Sequence, residues 1–244
     1  MSSARLPGKA LINLDKHPLI HYVIQRAKKI TGIDKVALAT SKSTENDALE
    51  SYARSLDIAV YRGDEENVVE RFYHLAKEHS AKNIIRLTGD NPLIDFKAMG
   101  NLLEKHCSMK NDYTCCQGYP VGSVGDIFSF KALEDTYKSG QGAELQDHVD
   151  LHVLENQEKY KIMSFELGQD LSENRWTVDY DQDLELMQKL FAELSDEILN
   201  LTTDELISRS NLINSLKRKV AISKGNQYTA ELVKNIKLKQ TISL

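Results

Sequence analysis

Apolar residues recur every three or four positions in a segment that follows Pro18. They are Leu19, Ile20, Val23, Ile24, Ala27 and Ile30. This spacing places them on one face of a helix, and proline is favoured in the first helical turn. Gly32 is a residue type typical of the position just past a helix end. The pattern therefore predicts a helix that begins near Leu19 and ends before Gly32.

Continuous apolar runs alternate with further helical patterns along much of the chain. The run from Val36 to Thr40 is typical of a strand that is buried on both faces. The later elements predicted in the same way are a helix at 45–56, a strand at 58–61, a helix at 66–78, a strand at 83–87, a helix capped by Asp95, a strand at 113–116, a strand at 175–179 and a helix at 181–194. Because helices and strands alternate, we expect right-handed crossovers and a mainly parallel sheet with helices on both faces. The predicted fold class is therefore α/β.

The alternation breaks in the middle of the chain and again near its end. Turn signals at 118–122 and 140–142 mark the segment 118–160 as an insertion. Beyond Ser195 the sequence is helical in pattern and rich in lysine. We therefore predict an α/β domain over residues 1–194 that contains the insertion, followed by a helical C-terminal extension over 195–244.

Composition and charge exclude several classes of function. With 244 residues, of which 41% are hydrophobic, the chain can bury one sizeable core. The net charge of −5 argues against nucleic acid and against an anionic membrane as partner, since both attract basic surfaces. No apolar run approaches the roughly 20 residues that span a bilayer, and no secretory signal is visible, so a cytoplasmic protein is expected. The three cysteines are expected to be free thiols.

Polar residues follow three of the predicted strands directly. Thr40 and Ser41 end the first of them, residues 88–92 follow the strand at 83–87, and Asp179 ends the last. In an open parallel sheet, ligands bind beyond the carboxyl ends of the strands. These residues therefore predict one pocket at this edge of the sheet.

Asp90 and Asp179 are the candidate metal ligands. Mg²⁺ prefers oxygen ligands and is commonly held by one or two carboxylates together with substrate phosphates. Two aspartates at strand ends on one edge of a sheet match that requirement. The alternative for Asp179 is a capping role, because it precedes the predicted helix at 181–194.

The N-terminal sequence Arg5-Leu-Pro-Gly-Lys9 combines two cations with a fixed proline and a glycine. Such a loop can bring cationic side chains and exposed backbone N–H groups against a polyphosphate. A solvated basic N-terminus is the alternative. The chain lacks the Gly-x-x-x-x-Gly-Lys-Ser/Thr sequence of a P-loop, which disfavours a P-loop hydrolase.

This loop resembles the signature of the cytidylyltransferase family, which makes CMP-activated acid sugars, and the likeness is strongest to the spore-coat polysaccharide branch. Two further motifs carry the resemblance in the expected order: Gly89-Asp90-x-Pro-Leu93 and Val178-Asp179-x-x-x-Asp183-Leu-Glu185. The likeness extends from Ala4 to about Leu194. It implies a three-layer α/β/α sandwich of the nucleotide-diphospho-sugar transferase type, which is Rossmann-like.

The resemblance also implies a role for each matching residue. The catalytic residues would be Arg5, Lys9, Asp90 and Asp179, of which the two aspartates would hold Mg²⁺. The nucleotide-binding residues would be Leu6, Gly8, Lys9, Thr40, Ser41, Arg71 and Asp90. In this scheme Arg5 and Lys9 bind the triphosphate of CTP, and Thr40 with Ser41 reads the cytosine edge.

The reaction implied by the resemblance is the activation of an acid sugar. A sugar-acid oxygen attacks the α-phosphate of CTP, pyrophosphate leaves, and the CMP-sugar serves the synthesis of spore-coat or other surface polysaccharide. The insertion at 118–160 would form a homodimer interface and would meet the sugar through Pro120-x-Gly122 and Asp126-Ile-Phe-Ser129. Val124 and Asp126 differ from the acid and the glutamate that are usual in the family at these places.

Two alternatives to an active CTP-dependent enzyme follow from the sequence. Asp179-Tyr-Asp181 has the Asp-x-Asp form used by metal-dependent glycosyltransferases of the same general fold. The family also carries a first strand and an arginine ahead of the loop that here begins at Arg5. We therefore expect a start upstream of Met1, another segment in the place of that strand, or an N-terminally truncated relative with impaired activity.

Overall fold

The computed structural model describes residues 6–140, 148–209, 230–236 and 239–242, so that Arg5 lies outside the described residues. The helices are α1 (Leu19–Ala27), α2 (Asp47–Ser55), α3 (Val68–Glu78), α4 (Phe96–Met109), α5 (Phe130–Lys138), α6 (Leu151–Glu155), α7 (Asp181–Leu194) and α8 (Thr203–Arg209). The strands are β1 (Ala37–Ser41), β2 (Ala59–Gly63), β3 (Asn83–Arg86), β4 (Tyr113–Gln117), β5 (Asp126–Ser129), β6 (Ile162–Leu167) and β7 (Lys239–Ile242). In the described ranges the longest helices have 14 residues, and no helix has the length and apolar character needed to cross a membrane.

Local sequence accounts for where the predicted helices begin. The side chain of Asp95 accepts a hydrogen bond from the backbone N–H of Ala98 at 2.9 Å, which caps α4 as predicted. Asn67 accepts from the backbone N–H of Glu70 at 2.8 Å, so α3 begins at Val68. Such caps satisfy backbone donors that the first helical turn leaves without partners. The five predicted helices and the strands that correspond to β1–β4 are confirmed to within a few residues.

The described strands form two sheets. β1 and β2 pair in parallel and make the smaller sheet. The larger sheet has the order β3-β5-β4-β6-β7, in which β4, β6 and β7 are parallel and β5 is antiparallel to both of its neighbours. The predicted α/β class with a mainly parallel sheet is confirmed.

Helices cover both faces of the larger sheet. Ile127 of β5 and Phe165 of β6 pack with α4 on one face. Phe128 of β5 and Ile162 of β6 pack with α3, α5 and α6 on the other face. Adjacent residues of a strand point to opposite faces, so a sheet buried on both sides divides its side chains in this way. A further cluster joins α1, α2, α7 and α8 beside β1, and the predicted three-layer arrangement is confirmed.

The segment 118–160, predicted to be an insertion, contributes a strand to the interior of the larger sheet. β5 lies between β3 and β4, and its Asp126 stands opposite Arg86 of β3. The two side chains form an ion pair, with Arg86 Nη2 2.6 Å from Asp126 Oδ2. A four-residue strand that begins with an acid lacks the continuous apolar run that indicated β1–β4, so the sequence pattern did not predict it, and β6 and β7 were not predicted either.

The prediction of a strand at 175–179 is wrong. Arg175 makes only an isolated bridge to Val121. The backbone N–H of Trp176 donates to the carbonyl of Val121 at 2.8 Å, and that of Val178 donates to the carbonyl of Asp90 at 3.0 Å. Trp176 and Val178 are fully buried. The apolar run therefore reflects burial between loops, because its backbone bonds to loop residues rather than to a neighbouring strand.

No strand in the described ranges joins β1 to β3. β1 pairs on one edge with β2, β3 pairs on one edge with β5, and β7 pairs with β6 at the far side of the larger sheet. One of the three alternatives, another segment in the place of the first strand that the family carries, is therefore not found among β1–β7. Leu38 of β1 and Ile85 of β3 are only partly buried, in agreement with strands that have one neighbour.

The described part of the C-terminal extension joins the α/β domain. A 3-10 helix at Ser195–Leu199 and α8 contribute to the cluster around α1 and α7. Ile236 is buried with α3 and α5, and β7 adds a parallel strand beside β6. The extension is therefore not helical throughout, because its last described segment completes one edge of the sheet.

Arg26 of α1 links this extension to the domain and is only 1% exposed. Its guanidinium donates hydrogen bonds to the backbone carbonyls of Ile94, Ile198 and Leu201, at 2.5 to 2.7 Å. Burial lowers the pKa of Arg26 to about 10, and the nearby Asp95 favours the charged form. A single ammonium group cannot reproduce the planar fork that reaches three carbonyls.

We expect Arg26→Lys to lower the free energy of unfolding by about 2–4 kcal/mol, because it leaves buried carbonyls without donors. Denaturant unfolding followed by circular dichroism measures the change. Arg54→Lys is the matched control, since Arg54 is exposed and ion pairs at the surface, such as that of Arg54 with Glu50, contribute little to stability. Equal losses in the two variants would contradict the linking role of Arg26.

His106 of α4 joins a buried polar network at the ends of β3 and β4. Its Nδ1 lies 2.9 Å from Thr114 Oγ1, and its Nε2 lies 3.2 Å from Asn83 Oδ1. Asn111 donates to the same Thr114 hydroxyl at 3.1 Å. Burial lowers the pKa of His106 to about 4, so the imidazole is neutral in the folded protein near neutral pH.

Because of His106, the free energy of unfolding is expected to decrease as the pH is lowered. The unfolded chain takes up a proton near the ordinary histidine pKa of about 6.5, whereas the folded protein takes it up only near pH 4, so acid favours the unfolded state between these values. From about pH 7 to about pH 5, wild type should lose about 1–2 kcal/mol more than His106→Gln. Denaturant titrations of both proteins at the two pH values measure the difference, and identical pH dependence would count against this prediction.

Candidate functional site

A pocket of about 340 Å³ opens beside the carboxyl ends of β1 and β3. It is lined by Lys9, Ala10, Ile20, Leu38, Ala39, Thr40, Leu49, Thr88, Gly89 and Asp90. Three segments that are distant in the sequence therefore meet at this pocket. They are the N-terminal loop, the end of β1 and the loop after β3. The lining combines apolar side chains with a few polar groups, as is usual in pockets for small molecules.

The N-terminal loop turns sharply before it reaches the pocket. Leu6 is buried in the cluster around α1, rather than among the lining residues. Gly8 has φ 69°, and a single 3-10 turn follows at Lys9–Leu11. A positive φ of this kind strains residues that carry a Cβ atom, so glycine fits here. Leu6 anchors the loop, and Gly8 turns it so that Lys9 enters the pocket.

Lys9 connects the two predicted metal ligands. Its ammonium donates to Asp90 Oδ2 at 2.7 Å, to the carbonyl of Val178 at 2.8 Å and to Asp179 Oδ1 at 2.9 Å. The side chains of Lys9, Asp90 and Asp179 are 16%, 24% and 15% exposed, so these ion pairs are largely shielded from solvent. The structure thus brings together the three charged residues that the sequence predicted to converge.

Asp179 is held from its other side by Arg175, which the sequence analysis did not identify as a site residue. Arg175 Nη2 bonds to Asp179 Oδ2, and Arg175 Nη1 donates to Asp183 Oδ2 at 3.0 Å. Asp183 also accepts from the backbone N–H groups of Asp179 and Tyr180, each at 3.0 Å. Asp183 is therefore the residue that stabilises the start of α7. The only signal in the sequence was an arginine four residues before Asp179 in an otherwise uncharged run.

Hydrogen bonds fix the loop after β3. Asn91 donates from Nδ2 to Thr88 Oγ1 at 2.7 Å. The carbonyl of Asp90 accepts from the backbone N–H of Val178 at 3.0 Å, which ties this loop to the segment that carries Asp179. The two carboxylates are therefore positioned by backbone contact as well as by Lys9.

Thr40 and Ser41 have different environments. Thr40 lines the pocket. Ser41 is buried, and its Oγ accepts from Asn46 Nδ2 at 2.7 Å and from the backbone N–H of Ser43 at 3.3 Å. The Ser41 hydroxyl thus shapes the turn after β1, and only Thr40 of this pair reaches the pocket lining.

Arg71 is not among the residues that line the pocket. Its guanidinium donates to the backbone carbonyls of Asp64 and Glu65, the latter at 2.7 Å. Both of these contacts come from Nη1 of Arg71. The nucleotide-binding role of Arg71 stays a prediction, and that of Arg5 falls outside the described residues.

The segment expected to meet the sugar lies against the loop after β3. Gly122 has φ 90°, and a Cβ atom there would stand 2.9 Å from Asn91 Oδ1 and 3.1 Å from the backbone nitrogen of Thr177. The neighbouring Val121 is 49% exposed. Glycine at this position therefore allows the segment to approach the sequence neighbours of both candidate metal ligands.

The chemistry of Asp90 and Asp179 suits a divalent metal ion. In the part of the chain that the structure describes, no group of three or more His, Cys, Asp or Glu side chains could hold a metal. Two carboxylates that share one cation form a donor set of hard oxygens, and Mg²⁺ takes its remaining ligands from water and substrate phosphates. The three carboxylates of Asp90, Asp179 and Asp183 are paired with the two cations Lys9 and Arg175.

Comparison with known proteins agrees with this geometry. The family model described as Cytidylyltransferase matches residues 1–205. The spore coat polysaccharide biosynthesis protein SpsF of Bacillus subtilis (strain 168) is 30% identical over 226 residues, which cover 86% of this chain and 90% of that protein. The 3-deoxy-manno-octulosonate cytidylyltransferase of Escherichia coli is 29% identical over 139 residues, which cover 55% of this chain and 54% of that protein.

A solved structure shows that the fold is shared as well. The cytidylyltransferase from Leptospira borgpetersenii serovar Hardjo-bovis (strain JB197) has a TM-score of 0.81 with this chain at 23% identity, covering 91% of this chain and 95% of its own. The family match at 1–205 includes the N-terminal loop, both candidate metal ligands and α7. The chain therefore belongs to the cytidylyltransferase family of nucleotidyltransferase enzymes.

Proposed function

We propose that this protein transfers a cytidylyl group from CTP to an acid sugar and so forms a CMP-sugar and pyrophosphate for polysaccharide biosynthesis. The observation that carries the proposal is the contact of Lys9 with both Asp90 and Asp179 beside a pocket at the carboxyl ends of the strands. A metal-bound triphosphate requires these groups, because carboxylates bind the metal and cationic side chains bind the phosphates.

In the proposed reaction, an oxygen of the sugar acid attacks the α-phosphorus of CTP. The bond from that phosphorus to the oxygen that bridges to the β-phosphate breaks, pyrophosphate leaves, and the hydroxyl proton of the sugar passes to solvent. Bound Mg²⁺ would supply positive charge to the phosphate oxygens. Such a reaction depends on positioning and charge stabilisation and requires no protein nucleophile.

Five of the predicted site residues have a part in this proposal. Asp90 and Asp179 would hold Mg²⁺. Arg5 and Lys9 contact the triphosphate, where their charge offsets the charge that develops on the leaving pyrophosphate. Thr40 contacts the base from the pocket wall.

The thiols of Cys115 and Cys116 take no part in the proposed chemistry. Burial raises the pKa of the Cys116 thiol to about 12, and burial raises the pKa of Cys115 further still. A thiol with so high a pKa is protonated at neutral pH and is a poor nucleophile. This supports a transfer without a covalent intermediate on the protein.

The acid sugar is inferred from what the relatives are named for. The Escherichia coli relative is named for 3-deoxy-manno-octulosonate, which is a sugar acid, and the Bacillus subtilis relative for spore coat polysaccharide biosynthesis. In this chain the acceptor would enter beside Val121 and Gly122, which adjoin Asn91. The homodimer interface over 118–160 stays a prediction.

Incubation of the protein with labelled CTP, Mg²⁺ and a panel of acid sugars tests the proposed function. We expect CMP-sugar and an equal amount of pyrophosphate with at least one acid, and neither product when Mg²⁺ is removed by a chelator. Transfer only from a preformed nucleotide sugar would favour the glycosyltransferase alternative. Absence of CTP binding in calorimetry would favour the impaired relative.

Asp90→Asn and Asp179→Asn are each expected to lower kcat for CMP-sugar formation by about 100-fold or more, because each removes a charged metal ligand. Asp181→Asn is the matched control, since Asp181 is exposed at the start of α7. A glycosyltransferase that used Asp179-Tyr-Asp181 would lose activity in Asp181→Asn as well. Steady-state kinetics together with melting temperatures separate these outcomes from a folding defect.

A further inference from the structure

The ammonium of Lys9 lies where a divalent cation shared by Asp90 and Asp179 would lie. It is 2.7 Å from one carboxylate and 2.9 Å from the other, and the carbonyl of Val178 accepts its third hydrogen bond at 2.8 Å. A lysine ammonium has three donors, so all of them have acceptors here. Lys9 therefore serves as the resident counter-ion of this carboxylate pair.

We propose that Lys9 and a divalent metal are alternative occupants of the position between Asp90 and Asp179, and that the metal enters when Lys9 moves to a phosphate of the nucleotide. The inference rests on the proposed function for the identity of the nucleotide. It adds to that function an exchange of cations at the centre of the site.

Arg175 engages the other carboxylate oxygen of Asp179. Arg175 Nη2 engages Asp179 Oδ2, whereas Lys9 holds Oδ1. Asp183 holds the same guanidinium at 3.0 Å, and the Arg175 side chain is only 12% exposed. Oδ1 is therefore the oxygen of Asp179 that faces the position shared with Asp90, and Lys9 contacts it.

Two cations at this position would repel each other strongly. The carboxylates and the ammonium are largely shielded from water, and shielding strengthens interactions between charges. A phosphate group offers Lys9 acceptors as strong as the carboxylates that it leaves. Nucleotide and metal are therefore expected to bind with positive cooperativity.

Binding of Mn²⁺ without nucleotide tests the exchange, with the paramagnetic resonance signal of free Mn²⁺ as the readout. Lys9→Met preserves much of the side-chain length and removes the charge, so we expect it to bind Mn²⁺ about tenfold or more tightly than wild type does. Lys16→Met is the matched control, because Lys16 pairs with Asp196 at 2.8 Å on the surface. The control should keep the wild-type affinity. Equal or weaker Mn²⁺ binding by Lys9→Met would overturn the proposal.

A second measurement uses wild type and does not depend on whether Lys9→Met folds. Acetylation of Lys9 by acetic anhydride, quantified by peptide mass spectrometry, should be slow without metal and should accelerate several-fold when Mn²⁺ alone is added. Lys16 in the same digest is the internal reference and should react at a constant rate. Reactivity of Lys9 that Mn²⁺ leaves unchanged would overturn the proposal.

Neither measurement requires turnover, so the two proposals can fail separately. Tighter Mn²⁺ binding by Lys9→Met, combined with no CMP-sugar synthesis by wild type, would support the cation exchange and contradict the proposed function. CMP-sugar synthesis by wild type, without any gain in the Mn²⁺ affinity of Lys9→Met, would support the proposed function and contradict the cation exchange.

Discussion

The ion pairs of Lys9 with Asp90 and Asp179 are the contacts on which the site depends. They join the N-terminal loop, the loop after β3 and the segment before α7. Each charge in such a largely shielded group would be costly to leave without its partner, so the group holds its geometry. The same side chains carry the charges that a metal-bound triphosphate requires. Structure and proposed chemistry therefore rest on one set of contacts.

Two arginines extend this arrangement to the rest of the molecule. Arg175 fixes Asp179 from the side opposite Lys9 and is itself fixed by Asp183. Arg26 connects α1 to the carbonyls of the C-terminal extension. The planar guanidinium can serve several acceptors at once, which suits it to positions where separate segments meet. The described strands form two sheets, and the cluster around α1 and α7 packs against β1 and β2 of the smaller one.

One pocket is lined by Lys9, Thr40 and Asp90, and two general rules of α/β folds account for this. Alternating helices and strands impose a parallel order, and a parallel order brings strand ends to one edge. Asp179 reaches the same edge although its segment is not a strand. Its place is set by the backbone bond between Val178 and Asp90 and by burial of the neighbouring residues. The residues that the sequence predicted to converge therefore lie together, while the strand predicted at 175–179, which includes Asp179, is absent.

The sequence by itself determined the α/β class and the first five helices outside the insertion. It also predicted that Lys9, Asp90 and Asp179 lie close together. Those features follow from periodicity, chain order and local capping, which act over short stretches of sequence. Only the tertiary structure decided the places of β5 and of β7 in the larger sheet, the structural role of Ser41 and the contact of Arg175 with Asp179. The places of β5 and β7 depend on which partner each segment finds across the fold, whereas the contacts of Ser41 and Arg175 depend on the geometry of a turn and of a loop. Hydrogen bonds and ion pairs between distant segments leave no periodic trace in the chain.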